Sequence, residues 1–488
     1  MVFNISKSCL FEVFCFFIIA FAYPYVLGVT TPFSYTLAYL YFVVLGVTDG
    51  LFIRRINNPF KKYVLRFFAA LYFICYVVKL VFIRLNEGFY KTSSLSGIGC
   101  FDFSLDSYNA VLLISLIGIV GVFAGVLLEH VFDKRKNIPM HPILEYTTSR
   151  YLFSLWIVGT YLVDLLLWYF GYGQAGVDRS LPFHLQGFIY YYRMIIVPFI
   201  SLVFLDVSVK NKSKHDIKYY FIAIVIGAVI CQFASLSRGV IITRILPILL
   251  YAFFYDQQGA FGSQRQKKFF GVSILLLTVF AVSLVTSLRD IVWGAFDAQN
   301  LFASALALAK TLPSMGQSIA SLFSLLIARA VGIQELMGVY AARGKIDYDL
   351  SLFAKLLSDS KFFSYYYHIE VLGGINYSLV TGGSPALFGF LYFSGSIVVV
   401  FLGSLIGSFI ITKIGSYFYN LGFQIAAYGL ATVFILLFWS AGFIQAATSI
   451  IVLFLSWILL KYVIWLVSRT WVITINGCKK HIFRFKIQ

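Results

Sequence analysis

The chain predicts an all-α polytopic membrane protein of about twelve transmembrane helices with one large outer loop. Three observations carry that prediction. First, 60% of the 488 residues are hydrophobic and only 12% are charged, with a mean hydropathy of +0.87. Second, apolar stretches of about 18 residues or more recur from end to end, which a soluble core cannot absorb. Third, the basic residues fall in the short connections between those stretches.

The apolar stretches start near Cys9, Phe33, Phe67, Tyr108, Tyr151, Ile189, Tyr219, Gly239, Phe269, Ala386, Leu421 and Ser449. Backbone polar groups in lipid must pair within their own segment, so each is expected to be a helix. The first stretch ends in Ala20-Phe21-Ala22, which resembles a signal-peptidase site. Its apolar length of about 20 residues fits an uncleaved first span better.

Orientation follows from lysine and arginine. RRINNPFKK (Arg54–Lys62), DKRK (Asp133–Lys136), KNKSKHDIK (Lys210–Lys218), RQKK (Arg265–Lys268) and the tail CKKHIFRFK all fall on one face when twelve spans alternate. That face is expected to be the cytoplasm, with both termini inside. The formal charge of +18 is thereby assigned to topology and not to nucleic acid. The six cysteines are scattered without metal or disulfide spacing, so neither a zinc site nor a disulfide framework is expected.

The expected organisation is a membrane domain over 1–288, a large loop over 289–385 and a second membrane domain over 386–488. A structureless loop of about 95 residues is unusual in a compact protein, so this one is expected to hold structure of its own. LFASALALAK (Leu301–Lys310) and IASLFSLLIARAV (Ile319–Val331) read as helices lying on the outer membrane surface. A re-entrant pair is the alternative.

Several arginines reach the outer level of the bundle. SLSRGVIITR places Arg238 at the hairpin of the seventh and eighth spans and Arg244 inside the eighth. Arg193 falls about one turn into the sixth, Arg179 precedes it, and the loop adds Arg289, Arg329 and Arg343. A charge at mid-membrane costs roughly 2.5–3.5 kcal/mol on insertion scales, so such residues tend to face a cavity or snorkel to the interface. Forked guanidinium donors suit phosphate oxygens, and the cluster would attract a polyanion. Asp164 interrupts the fifth apolar run and is a partner for one of these cations or for a structural hydrogen bond.

YYYR (Tyr190–Arg193) and YYYHIE (Tyr365–Glu370) put tyrosines beside charges. They fit an interfacial aromatic belt or a platform for sugar rings. His368 and Glu370 are the acid–base candidates of the loop, since histidine titrates near neutrality. Asp347-Tyr348-Asp349 has the DxD spacing of metal–nucleotide sites, although nucleotide sugars are not expected on the outer face.

SLSRG, the late outer loop, and NYSLVTGGSPALFGFLYFSGSIVVVFLGSLIGSFI (Asn376–Ile410) together resemble the Wzy-type O-antigen repeat-unit polymerases. The resemblance covers the layout of nearly the whole chain. It implies a GT-C-like fold in the bacterial inner membrane, with the large loop and its short helices periplasmic. It also implies a glycosyltransferase that joins undecaprenyl-diphosphate-linked oligosaccharides without metal or other cofactor, alongside a chain-length regulator protein. On that resemblance, Arg193, Arg238, Arg244, Arg289 and Arg343 would hold the donor diphosphate. Arg238 would also stabilise charge developing on the leaving group. His368 or Glu370 would act on the acceptor hydroxyl, and Tyr190, Tyr191, Tyr366 and Tyr367 would line the glycan path.

The family's arginine–x10–glycine motif is not matched, because Arg179–Gly187 and Arg329–Gly338 are more closely spaced. An O-antigen ligase shares the layout, and a lipid-linked oligosaccharide flippase shares the span number. Matched, interrupted half-repeats, which favour a transporter, are not evident in the sequence.

Overall fold

The computed structural model describes residues 56, 58–92, 101–133, 150–170, 172, 185–211, 214–235, 240–256, 259, 261–263, 265–269, 271–273, 332–359, 366–371, 385–440 and 446–462. Most of the described residues are helical, with no strand among them. Among the described residues, six helices are long and apolar enough to cross a membrane: Pro59–Leu85, Leu105–Phe132, Tyr151–Tyr169, Gly187–Lys210, His215–Ser235 and Ile397–Asn420. Thr243–Phe253, Gln424–Trp439 and Ala446–Tyr462 are shorter apolar helices. The expected first and second spans, most of the ninth, and the expected surface helices over 301–310 and 319–331 lie outside the described residues.

The chain divides into two compact units. The first comprises Met1–Arg135, Ala320–Ser416 and Phe434–Ala446; the second comprises Lys136–Ile319, Tyr417–Val433 and Ala447–Gln488.

In the first unit, α1 (Pro59–Leu85) starts where Asn58 accepts from the Phe60 and Lys61 amides through Oδ1, with Pro59 at the first helical position. A π turn over Phe73–Val78 interrupts α1. α2 (Leu105–Phe132) starts at Ser104, whose hydroxyl caps the Ser107 amide. Gly121 and Gly125 line the face of α2 that meets α10 (Ile397–Asn420). A methyl group on either would run into the Phe401 or Leu405 carbonyl. Ser408 Oγ donates to the Val122 carbonyl across this contact, at 2.9 Å. Small residues allow this close backbone approach, the usual way helices associate when lipid supplies no hydrophobic drive. Lys61, fully buried, pairs with Glu129 at 2.8 Å and Asp133 at 2.6 Å, tying the start of α1 to the end of α2.

The second unit contains α3 (Arg150–Tyr169), α4, α5 (Lys214–Ser235) and α6 (Val240–Leu250). α4 runs from Leu185–Tyr191 through a π turn, Tyr192–Ile196, into Val197–Lys210. Its start at Leu185 puts Arg193 about two turns into the helix, one turn deeper than the sequence suggested. Phe153, Ile157, Thr160 and Asp164 form the buried face of α3, following helical periodicity. Leu155, Leu162 and Leu166 are exposed, an apolar surface suited to lipid.

The loop segment contributes α7 (Ile333–Ala342) and α8 (Leu350–Ser358). Ile333, Leu336, Met337 and Val339 of α7 are fully buried in the first unit. The expected tenth span divides. α9 (Ala386–Tyr392) ends in a turn at Ser394–Gly395, and the long helix α10 begins at Ile397, eleven residues later than expected. Gly395 there has φ +69 and packs against the Tyr348 carbonyl, a conformation and closeness that favour glycine. α11 (Gln424–Trp439) and α12 (Ala446–Tyr462) follow α10.

Candidate functional site

Within the first unit, α7 brings Arg343 to its C-terminal end. Arg343 is exposed as a residue, yet its Nη1 donates to the Tyr392 hydroxyl at 2.7 Å, and the cation lies 5.8 Å from the Tyr392 ring centre. Tyr340 stacks on Tyr392 with centroids 6.4 Å apart. Tyr348 meets Tyr392 and Phe393 edge-on at 6.2 and 5.2 Å, and Tyr366 meets Phe393 at 6.2 Å. The Tyr348 hydroxyl donates to the Val339 carbonyl at 2.6 Å, which fixes the strand of chain after α7 against α7 itself. Burial raises the pKa of the Tyr348 phenol. Burial first, and Glu370 second, raise that of Tyr366, so these phenols are neutral donors at ordinary pH.

Tyr367 begins a π turn, Tyr367–Val371, that also contains His368 and Glu370. Tyr367 is buried and Glu370 is exposed; the side chain of His368 lies outside the described residues. Arg343, Tyr366, Tyr367 and Glu370, picked out separately in the sequence, therefore belong to one neighbourhood of the first unit.

The opposite end of α7 is anchored by a pair that the sequence reading missed. Lys79, fully buried just after the π turn of α1, contacts Glu335 at 3.2 Å. Glu335 also accepts from the Gly332 amide at 2.7 Å, capping its own helix. Gly332 sits against the Cys75 carbonyl with no space for a Cβ. Lys79 was legible as a cation within an apolar run; its partner, 256 positions away, was not.

In the second unit, Arg193 and Arg244 come together. Arg193 Nε donates to Asp164 Oδ1 at 2.8 Å, with side chains 4% and 2% exposed. This realises one of the two readings of Asp164. Arg244 donates to the Gly227 carbonyl at 3.1 Å, the Arg193 carbonyl at 3.2 Å and Cys231 Sγ at 3.2 Å. Pro198 explains why the Arg193 carbonyl is available. Across the π turn the Val197 amide bonds back to Tyr192, and the next amide in that register would be that of Pro198, which has none.

Tyr190 is exposed and Tyr191 half-buried, their rings edge-on at 5.3 Å. Arg179, Arg238, Arg289 and Arg329 lie outside the described residues. The DxD aspartates divide: Asp347 is exposed, and Asp349 caps α8 by accepting from the Leu352 amide at 2.7 Å. That amide, with the Ser351 hydroxyl, holds the Asp349 carboxyl below its usual range. No group of three or more potential metal ligands occurs among the described residues.

Comparisons with protein-family models, curated proteins and solved structures find no match to this chain.

Proposed function

We propose that the protein is a membrane glycosyltransferase that joins lipid-diphosphate-linked oligosaccharide repeat units into polysaccharide, an O-antigen polymerase with twelve spans and a GT-C-like fold. In this reading it acts at the periplasmic face of the bacterial inner membrane, both termini are cytoplasmic, and no cofactor is needed.

The observation that carries the reading is the Arg343–Tyr392 pair. One Nη of Arg343 is held on a phenol while the exposed remainder of the fork is available to a phosphate. The rings of Tyr340, Tyr348 and Tyr366 beside it offer flat apolar faces with hydroxyl edges, which is what a sugar requires of its binding surface. The turn carrying His368 and Glu370 adjoins α7 and supplies acid–base groups for the acceptor hydroxyl. Arg193 and Arg244 serve a different purpose in this reading. Arg193 Nε and both Nη groups of Arg244 are engaged within the second unit, so they hold helices together.

The test is the glycan ladder of a deletion strain complemented with the wild-type gene, Arg343→Ala or Arg343→Lys. Loss of long chains, with lipid A–core capped by a single unit, supports polymerisation. Core lacking any unit indicates a ligase, and an unchanged ladder defeats the proposal. Failure of Arg343→Lys at normal expression supports forked phosphate contact over a simple point charge.

A further inference from the structure

Three cations, Arg265, Lys267 and Lys268, follow the turn after α6 in the second unit, and one of them faces inward. Lys267 is buried, and its Nζ meets the Asp256 carboxylate at 2.9 Å and the Asp256 carbonyl at 3.2 Å. The same carboxylate accepts from the Phe261 amide at 3.0 Å. The Phe261 ring lies edge-on to Phe221 of α5 at 6.3 Å and to Tyr251 at 6.2 Å, so the turn is fixed to the rest of the unit. We propose that Arg265 and Lys268, on the outward side of this turn, bind the headgroup phosphate of an anionic phospholipid, independently of the glycosyltransferase reading.

Residues 265–269 and 271–273 are helical. The Ser263 amide donates to Gln266 Oε1 at 2.9 Å and the Gln266 amide to Ser263 Oγ at 3.3 Å, a reciprocal cap that starts the helix. A helix turns by about 100° per residue, so Arg265, Lys268, Phe269 and Val272 fall within about 100° of one another, on the side opposite Lys267. All four are exposed, Phe269 at 71% and Val272 at 57%. Each cation precedes an apolar residue by about 6 Å along the axis. The sequence runs on without charge as FFGVSILLLTVF (Phe269–Phe280), which puts hydrocarbon on the apolar side and headgroups beside the cations.

That order of charge and apolar surface selects the ligand. Water or a soluble anion would serve the cations and leave Phe269 and Val272 uncovered; a phospholipid lays its acyl chains on the pair and its phosphate at the cations. Charge then selects among lipids. Neither Arg265 nor Lys268 has a carboxylate partner among the described residues, since Asp256 is taken by Lys267. Two unpaired positive charges favour a net-negative headgroup over a zwitterionic one, whose ammonium they repel. The arginine fork suits two phosphate oxygens, and lysine adds a point charge. Because Asp256 and Phe261 already fix the turn, binding has little backbone left to order.

The test is thermal unfolding of the purified full-length protein in phosphatidylcholine nanodiscs with increasing fractions of phosphatidylglycerol. Phosphatidylglycerol is expected to raise the midpoint by about 2 °C or more, with saturation, because it binds the folded state. Arg265→Gln and Lys268→Gln should each raise the half-saturating fraction by about fivefold, the worth of one cation near an anionic surface. Neither should change the midpoint in phosphatidylcholine alone. Lys413→Gln removes an exposed cation of α10 and should not move the half-saturating fraction. If the two variants are unstable, native mass spectrometry decides, with wild type retaining at least one phosphatidylglycerol more than Lys268→Gln. Equal retention, or equal midpoints with and without phosphatidylglycerol, overturns the proposal. A loss in Lys413→Gln equal to that in Lys268→Gln would show a general charge effect and overturn it as well. So would an equal gain from inorganic phosphate in phosphatidylcholine at matched ionic strength, which would make the ligand a soluble anion.

Discussion

Arg193 joins Asp164 through its side chain at 2.8 Å and joins Arg244 through its carbonyl at 3.2 Å, so one residue links α3, α4 and α6 of the second unit. The side-chain bond satisfies two buried charges; the carbonyl bond exists because Pro198 cannot supply an amide to the π turn. Helices that must meet in an apolar environment are here joined by polar groups with few alternative partners.

Breaking one half of that pair strands the other. Asp164→Ala and Arg193→Leu are each expected to destabilise the protein by about 3–5 kcal/mol, the usual consequence of leaving a buried charge unpaired. The double variant Asp164→Leu/Arg193→Leu should lose less than the sum of the single changes. Unfolding midpoints of the four proteins in detergent form the measurement, and additive losses would show that the two residues do not act as a pair.

Close packing of α2 on α10 gives a second expectation. Gly121→Ala and Gly125→Ala place a methyl group against the Phe401 and Leu405 carbonyls and should destabilise by about 1–3 kcal/mol, as overpacking does. Gly159→Ala in α3 has open space around it. It should be neutral or stabilise slightly, by up to about 1 kcal/mol, through helix propensity. Midpoints that fail to separate the first two from the third would contradict the close approach of these helices.

At Asp349 the prediction concerns pH. Its folded pKa is depressed by the Leu352 amide and the Ser351 hydroxyl. The cap's contribution is therefore fully present above the unfolded value of about 3.9 and is lost as pH falls through the lower folded value. Hydrogen exchange at the Leu352 amide should be slow and unchanged from pH 8 to 5 after correction for intrinsic rates. It should then rise as the carboxyl protonates. Asp349→Asn should keep the protection, since asparagine caps as well, but without that acid transition. Asp349→Ala should lose protection at every pH.

How much of this was legible in the sequence varies with the range of the interaction. Apolar run length was enough to locate the starts of α2, α3, α4 and α5 to within about five residues, because spanning helices satisfy their own backbones, whereas α1 begins at Pro59, well before the expected Phe67. The division of α9 from α10 was hidden, since FLYFSGSIVVV is apolar on both sides of the turn and only the φ of Gly395 reveals it. Asp164 announced a partner because a carboxylate interrupting an apolar run requires one. Glu335 gave no such signal: it lies in the long loop, and nothing local marks α7 as core. The π turns at Phe73–Val78 and Tyr192–Ile196 left no periodic trace, although Pro198 is, in retrospect, the local cause of the second carbonyl's release. The grouping of Arg343 with Tyr392 joins positions 49 apart, and periodicity carries no information at that range.

The last prediction concerns the two ends of α7. Lys79 and Glu335 fix its start, and Arg343 meets Tyr392 at its finish, so disturbing either end should affect the protein differently. Glu335→Gln leaves Lys79 buried with a neutral partner and weakens the cap on the Gly332 amide. It is expected to lower stability by about 2–4 kcal/mol, with the loss read as a fall in unfolding midpoint. Tyr392→Phe removes only the hydroxyl that accepts from Arg343 and keeps the ring that packs against Tyr340 and Tyr348. Because Arg343 is exposed, its released donor can turn to water, and the stability cost should stay within about 1 kcal/mol. Under the proposed function, however, Tyr392→Phe should shorten the glycan ladder, because the freed guanidinium no longer holds one orientation. A Tyr392→Phe protein as unstable as Glu335→Gln would make the pair a structural clasp. A stable one with full-length glycan would remove Tyr392 from the site.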